Sequence, residues 1–130
     1  MKYILIFLFM VLPFTVSLST YSKPDFQTKN WKTIHRLSGS SNRNTDDFTI
    51  SSKKWKIVWK ARKQYDDVYG GNLFIKLVDE EGDADLIANT IPDDEGETTI
   101  RKSGSFYFEI SSFLTNWEIK VQIEEENKIE

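Results

Sequence analysis

The sequence contains no cysteine and only one histidine, His35. Without cysteine there is no disulfide framework, no thiolate metal site, no thiol nucleophile and no cysteine to carry a lipid. With one histidine, a zinc site of two or three His or Cys ligands is excluded. A Ser-His-Asp triad would have to be built around His35 alone, and no Gly-x-Ser-x-Gly elbow is present to hold its serine. No Asn-x-Ser/Thr sequon occurs. Excess basic charge is missing too. Lys+Arg 17 against Asp+Glu 20 gives a net charge of −3, whereas nucleic-acid binders need a basic face. Helical periodicity is also absent, since no stretch of eleven residues keeps its apolar positions at helical spacing.

The hydrophobicity that is present is unevenly placed. Fourteen of residues 1–19 (MKYILIFLFMVLPFTVSLS) are apolar, against 39% of the whole chain. Lys2 precedes the apolar run, and Ser17 and Ser19 put small residues at −3 and −1 of a cut after Ser19. A charged start, a short apolar run and a small-residue site describe a secretory signal peptide. At about 15 residues the run is short for a spanning helix, which needs roughly 20. An uncleaved anchor is the alternative, and Thr20-Tyr21-Ser22 offers a second cut. Export to a secreted or periplasmic location is therefore expected, with no stable membrane span after cleavage. Losing Lys2 moves the net charge from −3 to −4. The 111 residues that follow suit one domain, since domains run to roughly 100–150 residues. Cysteine-free export points weakly to bacteria. Residues 20–30 read as a flexible lead-in, because Lys23-Pro24-Asp25 disfavours helix. Residues 31–124 read as the domain, and 125–130 as a frayed tail.

Within 31–124 the period is two, which argues strands. Trp117, Ile119, Val121 and Ile123 alternate with Glu118, Lys120, Gln122 and Glu124. Trp55, Ile57, Trp59 and Ala61 do the same, as do Leu73, Ile75 and Leu77, and Phe106, Phe108 and Ile110. Shorter runs lie at 31–37, 47–51, 85–90 and 97–101. Turn chemistry separates them. The short link around Lys53 has hairpin spacing. Gly70-Gly71-Asn72, Asp79 to Asp83, Pro92 to Gly96 and Lys102-Ser103-Gly104 read as reversals, and 38–45 as a Ser/Asn-rich loop. The expectation is an all-β, antiparallel β-sandwich of about eight strands with a jelly-roll-like or Ig-like Greek key.

From Phe48 to Val121 the layout resembles a group of small exported bacterial β-proteins of no established function. The residues that carry the resemblance are Phe48-Thr49-Ile50, Trp55-x-Ile57-x-Trp59, Asp79-x-x-Gly82 and Ile87-Ala88-Asn89-Thr90. They continue with Gly96-x-Thr98, Gly104-x-Phe106-Tyr107-x-x-Ile110-x-Ser112 and Trp117-x-Ile119-x-Val121. The order and spacing match, not any single motif. The resemblance implies export and an all-β fold, and no catalytic motif to carry over.

Candidate chemistry is sparse. Lys54, Lys56 and Lys60 share one strand face, which reads as a solvated face with edge-blocking lysines. Paired carboxylates for glycoside hydrolysis need a cleft, and the acids here cluster in turns. An enzyme is not expected, and a small acid-dependent hydrolase ranks last. Calcium is the one ion with suitable oxygen donors, at Asp79, Glu81, Asp83 and Asp85 around Gly82; the plain alternative is a solvated turn. Among the aromatics, Trp55, Trp59 and Trp117 fall on inward phases and belong to a core. The better binding candidates are Tyr65, Asp66, Asp67 and Tyr69 in the polar loop 62–72, and Tyr107 on the wet phase of its strand. The resulting expectation is a non-catalytic binding or interaction module for a glycan or an envelope protein. A structural or stress-related envelope protein without a pocket is the alternative.

Overall fold

The alternation of apolar and polar residues becomes nine strands in the computed structural model, which describes residues 30–125. They are β1 (Asn30–Gly39), β2 (Arg43–Asn44), β3 (Phe48–Ile50), β4 (Trp55–Lys63), β5 (Asn72–Asp79), β6 (Ala84–Thr90), β7 (Asp94–Ile100), β8 (Gly104–Phe113) and β9 (Thr115–Glu125). All eight expected runs form strands. The ninth, β2, is a two-residue strand inside the expected loop 38–45. The signal peptide, nearly all of the lead-in and all but the first residue of the tail lie outside the described residues.

The strands form two antiparallel sheets, sheet A in the order β1-β9-β4-β7 and sheet B in the order β2-β8-β5-β6, with β3 also on β8. The chain pairs first with last. β1 lies on β9, β2 and β3 on β8, β4 on β7, and β5 on β6. One long antiparallel ribbon has been rolled so that β9 also meets β4 and β8 also meets β5. That winding is a jelly roll and not the Ig-like alternative. β2 and β3 act as one interrupted edge strand. At the break the Thr45 N–H donates to the Phe108 carbonyl (3.0 Å) and the Phe108 N–H to Thr45 Oγ1 (2.8 Å).

Two turn expectations are corrected. The link around Lys53 is not a hairpin, because β3 belongs to sheet B and β4 to sheet A. Short spacing brings two strands close without making them partners. Here Ile50 and Trp55 both point into one core from opposite sheets, and Phe48 meets Trp55 edge-on at 5.9 Å. Gly96 is not a turn residue either. β7 already runs from Asp94, and Gly96 pairs with Trp59.

The core lies between the sheets. Sheet A supplies Trp55, Ile57, Trp59, Ala61, Ile100, Trp117, Ile119 and Val121; sheet B supplies Ile50, Leu73, Ile75, Leu77, Ile87, Ala88, Phe106, Phe108 and Ile110. An irregularity at Ile75/Lys76 lets Ile87 and Ala88 both turn inward. Each of the buried Val, Leu, Ile and Phe side chains contributes about 1.5–3 kcal/mol relative to exposure. The indoles keep their donors satisfied at the margins: Trp55 Nε1 donates to the Lys102 carbonyl (2.8 Å) and Trp117 Nε1 to that of Ser41 (3.0 Å).

At both edges of sheet A a central-strand tryptophan lies across the backbone of a glycine directly opposite it. Trp59 pairs with Gly96 of β7, and Trp117 with Gly39 of β1. A Cβ on either glycine would stand 2.6 Å from Cζ2 of the ring. Only a residue without a side chain lets the indole reach the open flank and cover it. Gly96→Ala and Gly39→Ala are each predicted to cost about 1–3 kcal/mol through overpacking. The expected readout is a lower urea midpoint with an unchanged slope; an unchanged midpoint contradicts the pairing.

Candidate functional site

Several connections reach one end of the sandwich. Residues 64–71 join β4 to β5, 91–93 join β6 to β7, and Leu114 alone joins β8 to β9. The register brings them together, with Lys63 opposite Thr115 and Asn72 opposite both Phe113 and the end of β6. Leu114 takes the left-handed region at φ 50. The corner it makes is held by Ser112 Oγ donating to the Thr115 carbonyl (2.6 Å) and by Thr115 Oγ1 donating to the Phe113 carbonyl (2.9 Å). Loop 64–71 is tied to that corner. The Gln64 N–H donates to the Leu114 carbonyl (3.2 Å), and the Lys63 N–H to Asp93 Oδ1 (2.8 Å). Gly71, at φ 108, approaches so closely that a Cβ there would lie 2.9 Å from the Phe113 oxygen.

Large apolar side chains gather on this frame. Tyr65 is 56% exposed, Tyr69 91%, Ile91 66% and Phe113 66%. Asp66 and Asp67 are exposed beside them, and the Lys63 ammonium sits 5.8 Å from the centre of the Tyr69 ring. The loop residues expected from the sequence therefore share one end with two that the sequence reading missed, Ile91 and Phe113. Phe113 carried a signal, because it falls on the wet phase of β8. Ile91 carried none beyond its position before Pro92.

Tyr107 does not join this group. It faces out of sheet B opposite Val78, six residues along β8 from Phe113, or roughly 20 Å at about 3.4 Å per residue. Burial, and then the Glu109 carboxylate that accepts its hydroxyl proton at 3.4 Å, hold its phenol above the ordinary range.

The expected calcium ligands lie at the opposite end, at and beside the β5–β6 turn. Asp79 Oδ1 accepts the N–H groups of Glu81 (2.9 Å) and Asp83 (3.0 Å). Asp79 Oδ2 accepts from the Lys102 ammonium, which reaches across from the β7–β8 connection. Glu80 Oε1 accepts the Ser105 N–H at 2.7 Å. Asp85 stands along β6 opposite Leu77. Asp79 thus works as the cap of its own turn and as an anchor between two turns. A cation on Oδ2 would have to displace Lys102. Among the described residues, no group of three or more His, Asp and Glu side chains is gathered to hold a metal ion.

The Lys54, Lys56 and Lys60 stripe lies on the outer face of sheet A, among acids. Lys54 meets Glu124 (4.0 Å), Lys56 meets Glu97 (3.4 Å), and Arg62 meets Glu95 (3.4 Å). Lys56 also lies 4.5 Å from the ring centre of Trp31. No helix of the described residues is long and apolar enough to cross a membrane.

The Lys102 contact lowers the Asp79 carboxyl below its ordinary 3.8, against some opposition from desolvation, and raises Lys102 above 10.5. The Asp79 contribution is complete above the ordinary carboxylate range and is lost as pH falls through the lowered value; the Lys102 contribution is lost only at strongly alkaline pH. Asp79→Asn is therefore predicted to lower the melting temperature at neutral pH, with the gap to the parent closing towards about pH 2. Calorimetry across that range checks it, and a gap independent of pH contradicts it.

No protein-family model matches the chain, and no curated protein matches it either.

Proposed function

We propose that this chain is an exported, non-catalytic binding module whose recognition surface is the end of the sandwich bearing Tyr65, Tyr69, Ile91 and Phe113. The observation that carries the reading is the gathering of these four exposed side chains on connections braced against one another. Exposed apolar groups of this size, set together, mark a surface that meets something other than water. The export signal read at 1–19 and the resemblance to small exported bacterial β-proteins support a role outside the cytoplasm.

A glycan is the partner that the chemistry favours first. Tyr69 offers a nearly free ring face for stacking on a sugar, and Asp66 and Asp67 offer acceptors for its hydroxyls. Phe113 and Ile91 have no hydrogen-bonding group, and they favour the second reading, an envelope protein with an apolar contact patch.

The two readings part in one experiment. Binding is measured over a broad glycan panel and to an envelope-protein fraction, for the parent, Tyr69→Ala and Phe113→Ser. The expected result is a glycan signal that falls about tenfold or more in Tyr69→Ala, with the melting temperature kept. A protein signal lost in Phe113→Ser selects the second reading. Equal binding by all three forms overturns both.

A further inference from the structure

The two outer faces of the sandwich differ in kind. Sheet A is covered by ion pairs, such as Arg36–Glu118 (3.2 Å), Lys120–Glu118 (3.6 Å) and those of Lys54 and Lys56. On the outer face of sheet B, no ion pair forms among the described residues. The register puts three levels of side chains there. Phe74 faces Ser111; Lys76 faces Glu109 on one side and Leu86 on the other; Val78 faces Tyr107. Leu86 is 57% exposed, whereas Val78 is only 4% exposed although it points away from the core and is no member of it. An apolar island thus lies on the outside of this sheet.

Lys76 and Glu109 are direct cross-strand neighbours at its middle, yet they do not pair with each other. The Lys76 ammonium lies 5.2 Å from the centre of the Phe74 ring, and Glu109 accepts from the Tyr107 hydroxyl. Neighbouring strand charges of opposite sign normally pair. Here each is turned to an aromatic group on its own strand.

We propose that this face binds a second copy of the chain, about a two-fold axis running along the strands between β5 and β8. Such an axis lays each β5 over the β8 of the second copy. Lys76 then meets the other copy's Glu109, twice, one strand away from the exposed Leu86. The face is complementary to itself in charge, which is what an isologous contact requires. Four strands about 4.8 Å apart and about 27 Å long give roughly 500 Å² per copy. That is below the ~800 Å² per partner of a standard stable interface, so the dimer is reversible and forms at high concentration. The loop end lies at right angles to this face and stays open on both copies.

Sedimentation velocity on the purified chain, from micromolar to millimolar, tests the proposal with the variants Lys76→Glu, Glu109→Lys and Leu86→Ser. The parent is expected to shift reversibly from monomer to dimer. Each charge variant alone brings two like charges together and associates at least tenfold more weakly. The equimolar mixture of Lys76→Glu with Glu109→Lys recovers a heterodimer, because both contacts are again between opposite charges. Leu86→Ser leaves the charges in place and also weakens association. Circular dichroism checks that each variant is folded. A parent that stays monomeric throughout overturns the proposal. So does association that is unchanged in the variants, or a mixture that does not recover.

Discussion

Two tryptophans lying flat on two glycines close the structure, and the rest of the fold depends on them. A sandwich of two sheets is open along both flanks, and this chain has no disulfide to staple them. In sheet A the central strands β4 and β9 each send an indole outward over the edge strand beside them, Trp59 onto Gly96 and Trp117 onto Gly39. A glycine in a strand interior normally weakens it. Here the missing side chain is the space that the indole fills, so the two features have to be read together. With the flanks covered, the inner faces need only medium-sized apolar residues, and Ile57, Leu73, Ile75, Phe108, Ile119 and Val121 are fully or almost fully buried.

The strand set was legible because its signal is local. Alternation of the kind seen from Trp117 to Ile123 places one face in water wherever the strand ends up. Pairing was not legible, because it depends on residues far apart in sequence. Nothing near Lys53 says that β3 bonds to β8 instead of to β4. Gly96 was misread for a related reason. A glycine closing the run Asp93-Asp94-Glu95 has turn chemistry, and only its partner Trp59, thirty-seven residues earlier, shows that it belongs to a strand. Of the candidate site, the loop tyrosines and aspartates were found from composition. Phe113 stood on the wet phase of its strand, whereas Ile91 became visible only when the winding brought three connections to one end. The acids at Asp79 to Asp85 suggested an ion, but a sequence does not show that Lys102 from another turn reaches Asp79.

The winding divides the surface into parts with different chemistry. Sheet A presents a lattice of opposite charges that water solvates readily, and such exposed pairs contribute little to stability. One end is tied by the Asp79–Lys102 contact between two turns. The other end carries exposed aromatic and aliphatic groups on connections that the corner at Leu114 and Thr115 holds in place. The recognition surface proposed above rests on braced links, which limits the ordering cost of engaging a partner. Sheet B adds a face whose central charges, Lys76 and Glu109, each turn to an aromatic group of their own strand. The central strands β4, β9, β5 and β8 serve all of these surfaces as one rigid support.

The central claim is that an indole covers each edge glycine, and proton NMR tests it most directly. A hydrogen held against the face of an indole is strongly shielded by the ring current. One Hα of Gly96 and one Hα of Gly39 should therefore resonate far upfield of its geminal partner, and both should show contacts to the indole protons of Trp59 and Trp117 respectively. Ordinary, nearly equivalent Hα shifts at both glycines would contradict the account.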